Sequence, residues 1–110
     1  MSSSSRAKGR RTELKVKKWL EAQGYLVELV PSPTRWGGGQ DFFSLWDGIA
    51  LKPDEIIFFQ VKSNKSNIYG KRLDAHRAFK VPASVRKICF LWIPRAKLPE
   101  TIILTTKAPG

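Results

Sequence analysis

Residues 47–62 read Asp-Gly-Ile-Ala-Leu-Lys-Pro-Asp-Glu-Ile-Ile-Phe-Phe-Gln-Val-Lys. Three polar groups interrupt two apolar runs here: the Asp47 carboxylate, the Gln60 carboxamide and the Lys62 ammonium. With the backbone carbonyl of Val61, Asp47 and Gln60 offer the oxygen donors that a hard cation such as Mg²⁺ prefers. A bound ion of this kind polarises a phosphate and lowers the pKa of a bound water. Lys62 beside it can orient that water or stabilise developing negative charge. The chemistry this set suits best is metal-assisted phosphodiester hydrolysis. Nucleophilic triads are poorly supported, because the chain has one histidine, His76, and one cysteine, Cys89, with no evident partner between them. Glycosidase chemistry needs paired carboxylic acids in a cleft, and a chain of net charge +11 is an odd host for them.

The elements that position these groups can be read from pattern. Pro53 and Asp54 are turn formers, and the runs 49–51 and 56–59 are β-prone. A hairpin with 52–55 as its loop puts Leu51 opposite Ile56, Ile49 opposite Phe58 and Asp47 opposite Gln60. Opposed residues share a face of the sheet, and alternation adds Lys62 to that face. Asp41 follows a Gly-rich stretch and also precedes the hairpin. It would need several bulges to reach Gln60, so it is the second choice as a metal ligand. Residues 10–23 are helical in pattern, with Val16, Trp19 and Leu20 on one face and Gly24 as the cap. Glu13 falls at the edge of that face. It can supply a metal ligand directly or through water, or form a Glu13–Lys17 surface pair worth a few tenths of a kcal/mol.

The remaining segments frame this centre. Residues 1–9 are Ser-rich and basic and read as a flexible arm. Residues 25–30 form a strand. Residues 31–40 form a loop in which Ser32, Thr34, Arg35 and Trp36 accompany three consecutive glycines, without the Gly-Lys-Ser/Thr of a P-loop. The polar loop 63–67 carries Ser63 and Lys65, suited to phosphate. A second helix is expected over 70–80, with Leu73, Ala75 and Phe79 inside. Its exposed residues would be basic, and His76 is expected to be solvated or to face phosphate. Strands follow at 87–93 and 101–105. The order is αβββαββ in a single α/β domain over 10–106, with a short tail at 107–110.

Twenty Lys and Arg against nine Asp and Glu favour a polyanionic partner by phosphate neutralisation and steering. A ribosomal or membrane-surface protein would share that balance. The candidate DNA contacts are Arg10, Arg11, Ser32, Arg35, Ser63, Lys65, Lys71, Arg72 and Arg77. A lone cysteine in the apolar run 88–91 reads as a buried, inert thiol in a reducing setting. No apolar run approaches the roughly 18 residues of a membrane span. The amino terminus lacks the apolar core of a secretory signal. A cytoplasmic protein with no membrane partner is expected.

The order of elements, with an acid on the first helix, Asp on one hairpin strand and Gln-x-Lys on the next, resembles the PD-(D/E)xK nuclease superfamily. Within it the chain is most similar to the archaeal-type Holliday junction resolvases and their phage relatives. The resemblance rests on Gly9-Arg10-Arg11-Thr12-Glu13 with Gly24-Tyr25-Leu26-Val27, on Asp47-Gly48-Ile49-Ala50, and on Phe59-Gln60-Val61-Lys62-Ser63. It implies a restriction-endonuclease-like core with a mixed central sheet. It also implies Mg²⁺ as cofactor, with Mn²⁺ able to substitute, and an endodeoxyribonuclease that resolves four-way junctions. The implied site is Glu13, Asp47, Gln60 and Lys62. A homodimer on branched double-stranded DNA is implied too, with Trp92 or Leu98 at its interface. The chain departs from the pattern at Gln60, where most relatives carry Glu; a carboxamide keeps one carbonyl oxygen but no charge. Two alternatives stand beside this expectation. One is another nuclease of the superfamily acting on flaps or duplex. The other is a DNA-binding module with weak catalysis.

Overall fold

The turn at Pro53 and Asp54 sets the register of the sheet. In the computed structural model, which describes residues 2–30, 42, 43 and 45–104 with side chains from residue 9 onward, Lys52 pairs with Glu55 across that turn. The loop is therefore tighter than 52–55 by a residue on each side. The expected pairs Leu51–Ile56 and Ile49–Phe58 both form, whereas the expected Asp47–Gln60 pair does not: the ladder ends at Gly48–Phe59, and Asp47 N–H donates to Phe59 O. From this hairpin the sheet grows outward in chain order. It comprises β1 (Leu26–Leu29), β2 (Gly48–Lys52), β3 (Glu55–Lys62), β4 (Val85–Leu91) and β5 (Glu100–Ile103). Only the β3–β4 pairing is parallel, so the sheet is mixed. Its crossover carries a 3₁₀ turn at Lys65–Ile68, capped by Asn64, and the helix α2 (Asp74–Ala78). The described elements follow the order αβββαββ.

One helix lies on each face, because side chains alternate across strands. Helix α1 (Ser2–Glu21) sets Val16 and Leu20 against Val27, Leu29, Ala50, Ile57, Phe59, Ile88 and Phe90. Burying a side chain of this kind stabilises by about 1.5–3 kcal/mol. The opposite face gathers Trp46, Leu73, Cys89 and Leu104, with Phe58 and Phe79 packed beside them. Helix α1 is capped as expected by Gly24. This glycine takes the left-handed conformation at φ 95°, Gly24 N–H donates to Glu21 O, and Tyr25 N–H donates back to Leu20 O. This is the Schellman arrangement that satisfies terminal carbonyls.

Several expected bounds shift. Helix α1 begins at Ser2, not at residue 10, so the backbone of the expected arm is helical. A single Gly9 costs about 1 kcal/mol relative to Ala and does not stop a helix flanked by permissive residues. Helix α2 is shorter than 70–80. Gly70 turns the chain at φ 65° before it, and Phe79 is extended after it. Trp92, expected at an interface, is 6 % exposed and packs edge-on against Trp19. None of the described helices is long and apolar enough to cross a membrane. Ser32, Arg35, Asp41 and the 107–110 tail lie outside the described residues.

Gly48 pairs with Phe59, and a Cβ at Gly48 would land on the Phe59 ring. The missing side chain thus lets a fully buried aromatic ring lie across the hairpin beside Asp47. Gly48→Ala is expected to destabilise the fold by about 1–3 kcal/mol through overpacking. A urea midpoint equal to that of the natural chain would contradict this.

Candidate active site

Strand β2 leaves β3 at Asp47, and the candidate site lies at that departure. Asp47 N–H still donates to Phe59 O at 2.9 Å. One step farther, the Asp47 carboxylate replaces the missing backbone partner: Val61 N–H donates to Asp47 Oδ2 at 2.7 Å. The N–H and C=O of a strand residue point to the same side, so the Val61 carbonyl is directed toward the same gap. Asp47 and Gln60 are each 8 % exposed. A charge-assisted bond to a backbone N–H is of the stronger kind, and it fixes this carboxylate in the plane of the sheet.

Gln60 and Lys62 share the face that the alternation assigned them. The Gln60 carboxamide satisfies both its ends in one orientation. Its nitrogen then donates to Leu45 O at 2.6 Å, and its oxygen accepts from Lys62 Nζ at 3.2 Å. Leu45 O also lies 2.9 Å from His76 Nε2. A single carbonyl therefore joins His76 and Gln60, and Gln60 in turn receives Lys62. His76 is 8 % exposed and meets the Trp46 ring edge-on at 5.0 Å. The expected solvated or phosphate-facing histidine is thus a buried one. Trp46, fully buried, gives it an aromatic wall that sequence periodicity does not reveal.

Glu13 is tied to this end of the sheet through Arg10. Arg10 Nη1 lies 3.3 Å from Glu13 Oε1 and donates to Val30 O at 2.8 Å. Val30 N–H donates to Asp47 O at 3.0 Å. Among the described ion pairs Glu13 is matched with Arg10 and not with Lys17. Arg10, expected on DNA, clasps α1 to the end of β1. Glu13 is thereby held, half-buried, at the end of the sheet where Asp47 lies. Among the expected DNA contacts, Arg11, Lys65, Lys71, Arg72 and Arg77 are exposed, and Ser63 is half-buried.

Two groups near the site have shifted protonation. Burial pushes the Cys89 thiol up to about 11, with Lys62 pulling it down and Asp47 pushing it up. Cys89 pairs with Gln60 across β3 and β4, and a thiol this reluctant to ionise is inert as a nucleophile. Lys87 was missed in the sequence. It is 4 % exposed, and its ammonium donates to the carbonyls of His76, Arg77 and Phe79 at 2.6–2.8 Å. Burial lowers its pKa. The amine neutralises the carbonyl end of α2, where positive charge is favoured. Parity was the available signal: Lys87 lies two residues before buried Cys89 and so shares its face.

The donor chemistry fits a hard cation. Asp47, the Gln60 oxygen and the Val61 carbonyl are all oxygen donors; the Gln60 oxygen accepts from Lys62 Nζ, and a cation taking that oxygen would displace the ammonium. Among the described residues no three His, Cys, Asp or Glu side chains gather in one place, so such a site carries less charge than a set of two or three carboxylates. No protein-family model matches this chain, and no curated protein matches it significantly.

The Leu45 contact gives Gln60 a definite role. Gln60→Glu would set a carboxylate oxygen against the Leu45 carbonyl and remove a donor. A loss of about 1–3 kcal/mol is expected at neutral pH. The new carboxyl would have a raised folded pKa, so the loss should shrink as pH falls and the group protonates. Urea midpoints measured across that range check it; an unchanged midpoint at every pH would contradict it.

Proposed function

We propose that this chain is a Mg²⁺-dependent endonuclease acting on branched DNA, with four-way junctions as its principal substrate. The observation that carries this is the Asp47 carboxylate held on the Val61 N–H where β2 parts from β3, with the Gln60–Lys62 pair flanking Val61 on the same strand. The resemblance to the PD-(D/E)xK nucleases, and to a restriction-endonuclease-like core, supports the same function through the same residues. The αβββαββ order agrees with it.

Asp47, the Gln60 oxygen and the Val61 carbonyl would hold the metal, with Glu13 joining directly or through a water. When bound, the ion supplies Lewis acidity toward the scissile phosphate and acidifies a water. The protein's own residues do the rest. The Val61 N–H fixes the Asp47 carboxylate, and Leu45 O fixes the Gln60 carboxamide. The Lys62 ammonium is a point charge at the reacting phosphate, able to orient a water and offset charge that develops in the transition state. Exposed Lys65, Lys71, Arg72 and Arg77 supply phosphate contacts that are independent of sequence.

A second reading, a DNA-binding module with weak catalysis, is favoured by Gln60. It contributes no negative charge and is already hydrogen-bonded at both ends. A two-fold homodimer belongs to the leading proposal, since a four-way junction presents two symmetric strands. Leu98, 66 % exposed, is free of the packing that removes Trp92 from that role. Such a nuclease would work inside a cell, whether cellular or phage-encoded.

Nicking of four-way, flapped and linear duplex DNA in Mg²⁺ tests the proposal, with Asp47→Asn as the control. The natural chain is expected to cut the junction in preference to the others. Asp47→Asn should lower the rate by on the order of 10²–10³-fold, the scale of losing one electrostatic partner in a site. Its junction affinity should stay unchanged. Intact junctions with the natural chain, despite binding, would favour the binding module; indifference to branching would remove the junction assignment.

A further inference from the structure

A cavity of about 500 Å³ opens between α1 and the segment after β4. Arg11, Leu14, Lys15 and Lys18 line it from α1, at the i, i+3, i+4 and i+7 spacing of one helical stripe. Trp92 and Ile93 line it from the other side. Among the described residues that line the space, three are cations and none is an acid. Its floor is apolar: Leu14 is 40 % and Ile93 38 % exposed, an unusual surface to leave beside so much charge. Lys15 Nζ stands 4.9 Å from the Trp92 ring centroid, so one cation already lies against the aromatic wall. Ser63, next in the chain after Lys62, also borders the cavity and links it to the candidate site.

Charge and apolar surface together select the occupant. A duplex offers phosphates to the cations but keeps its base faces stacked inside, so the Leu14 and Ile93 surface would gain nothing from it. An unpaired nucleotide offers both parts, a phosphate for Arg11, Lys15 and Lys18 and an exposed ring for the apolar floor. The volume falls within the range of pockets that enclose small ligands, about 300–1,000 Å³. We infer that this cavity holds an unpaired nucleotide of a DNA strand that passes the end of β3. The inference rests on the nuclease reading for its strand, and it adds a site for a base that has left its pair.

Fluorescence anisotropy with labelled oligothymidine and with a blunt duplex, both in EDTA, tests it. The variants are Leu14→Asn and Ile93→Asn, which remove apolar contact, leave the charge unchanged and lie on exposed positions. Each is expected to weaken oligothymidine binding by about 5-fold or more, the effect of losing part of a base contact. Duplex affinity should match the natural chain. Equal losses on both DNAs, or no loss on oligothymidine, would overturn the inference while leaving junction cleavage untouched. A natural chain that binds neither DNA would overturn this inference, whereas the nuclease reading falls only if junction DNA in Mg²⁺ is neither bound nor cut.

Discussion

The bond from Val61 N–H to the Asp47 carboxylate is the constraint on which the site depends. Two antiparallel strands that part company leave backbone groups without partners, and a buried N–H so abandoned costs about 1–3 kcal/mol. Asp47 removes that cost by standing in for the absent strand. The same bond holds a carboxylate at the mouth of the gap and leaves the Val61 carbonyl directed into it. Structural need and chemical opportunity coincide at one residue. Gly48 extends the arrangement, since it gives the Phe59 ring room to fill the core directly behind Asp47.

A second layer of buried polar groups supports the first. His76 and Gln60 converge on Leu45 O, and Lys87 gathers three carbonyls at the end of α2. Each is expensive to bury alone, and the bonds to these carbonyls offset part of that cost. Trp46 lies among them, touching His76, Phe58 and Phe79. A helix as short as α2 has little stability of its own, because nucleation is costly. Its position is set by Lys87 and the Trp46 wall, and its position in turn sets Leu45 and Gln60. The candidate site is thus braced by buried residues packed around Gln60 on its own side of the sheet.

The hairpin was legible in the sequence because local rules govern it. A Pro-Asp turn and strict alternation fix which residues oppose one another, and the pairs Leu51–Ile56 and Ile49–Phe58 follow from them. Val16, Leu20 and the Gly24 cap were legible for the same reason, being periodic and short-range. What escaped was tertiary. A basic helix at 70–80 with one histidine reads as solvent-facing until Trp46 is known to cover His76. Lys87 reads as surface until α2 presents its carbonyls. Arg10 reads as a DNA contact until β1 ends beside it. For Glu13, spacing indicated the edge of the core face but not the Arg10 clasp that holds it there.

The proposed chemistry requires that the oxygen donors at the parting of β2 and β3 take a divalent ion. Mn²⁺ titration followed by electron paramagnetic resonance reads this without relying on cleavage. The free Mn²⁺ signal is expected to fall when the protein is added, and to fall further with junction DNA present. Asp47→Asn should restore the signal. A signal that stays at its protein-free level, with and without DNA, would contradict it.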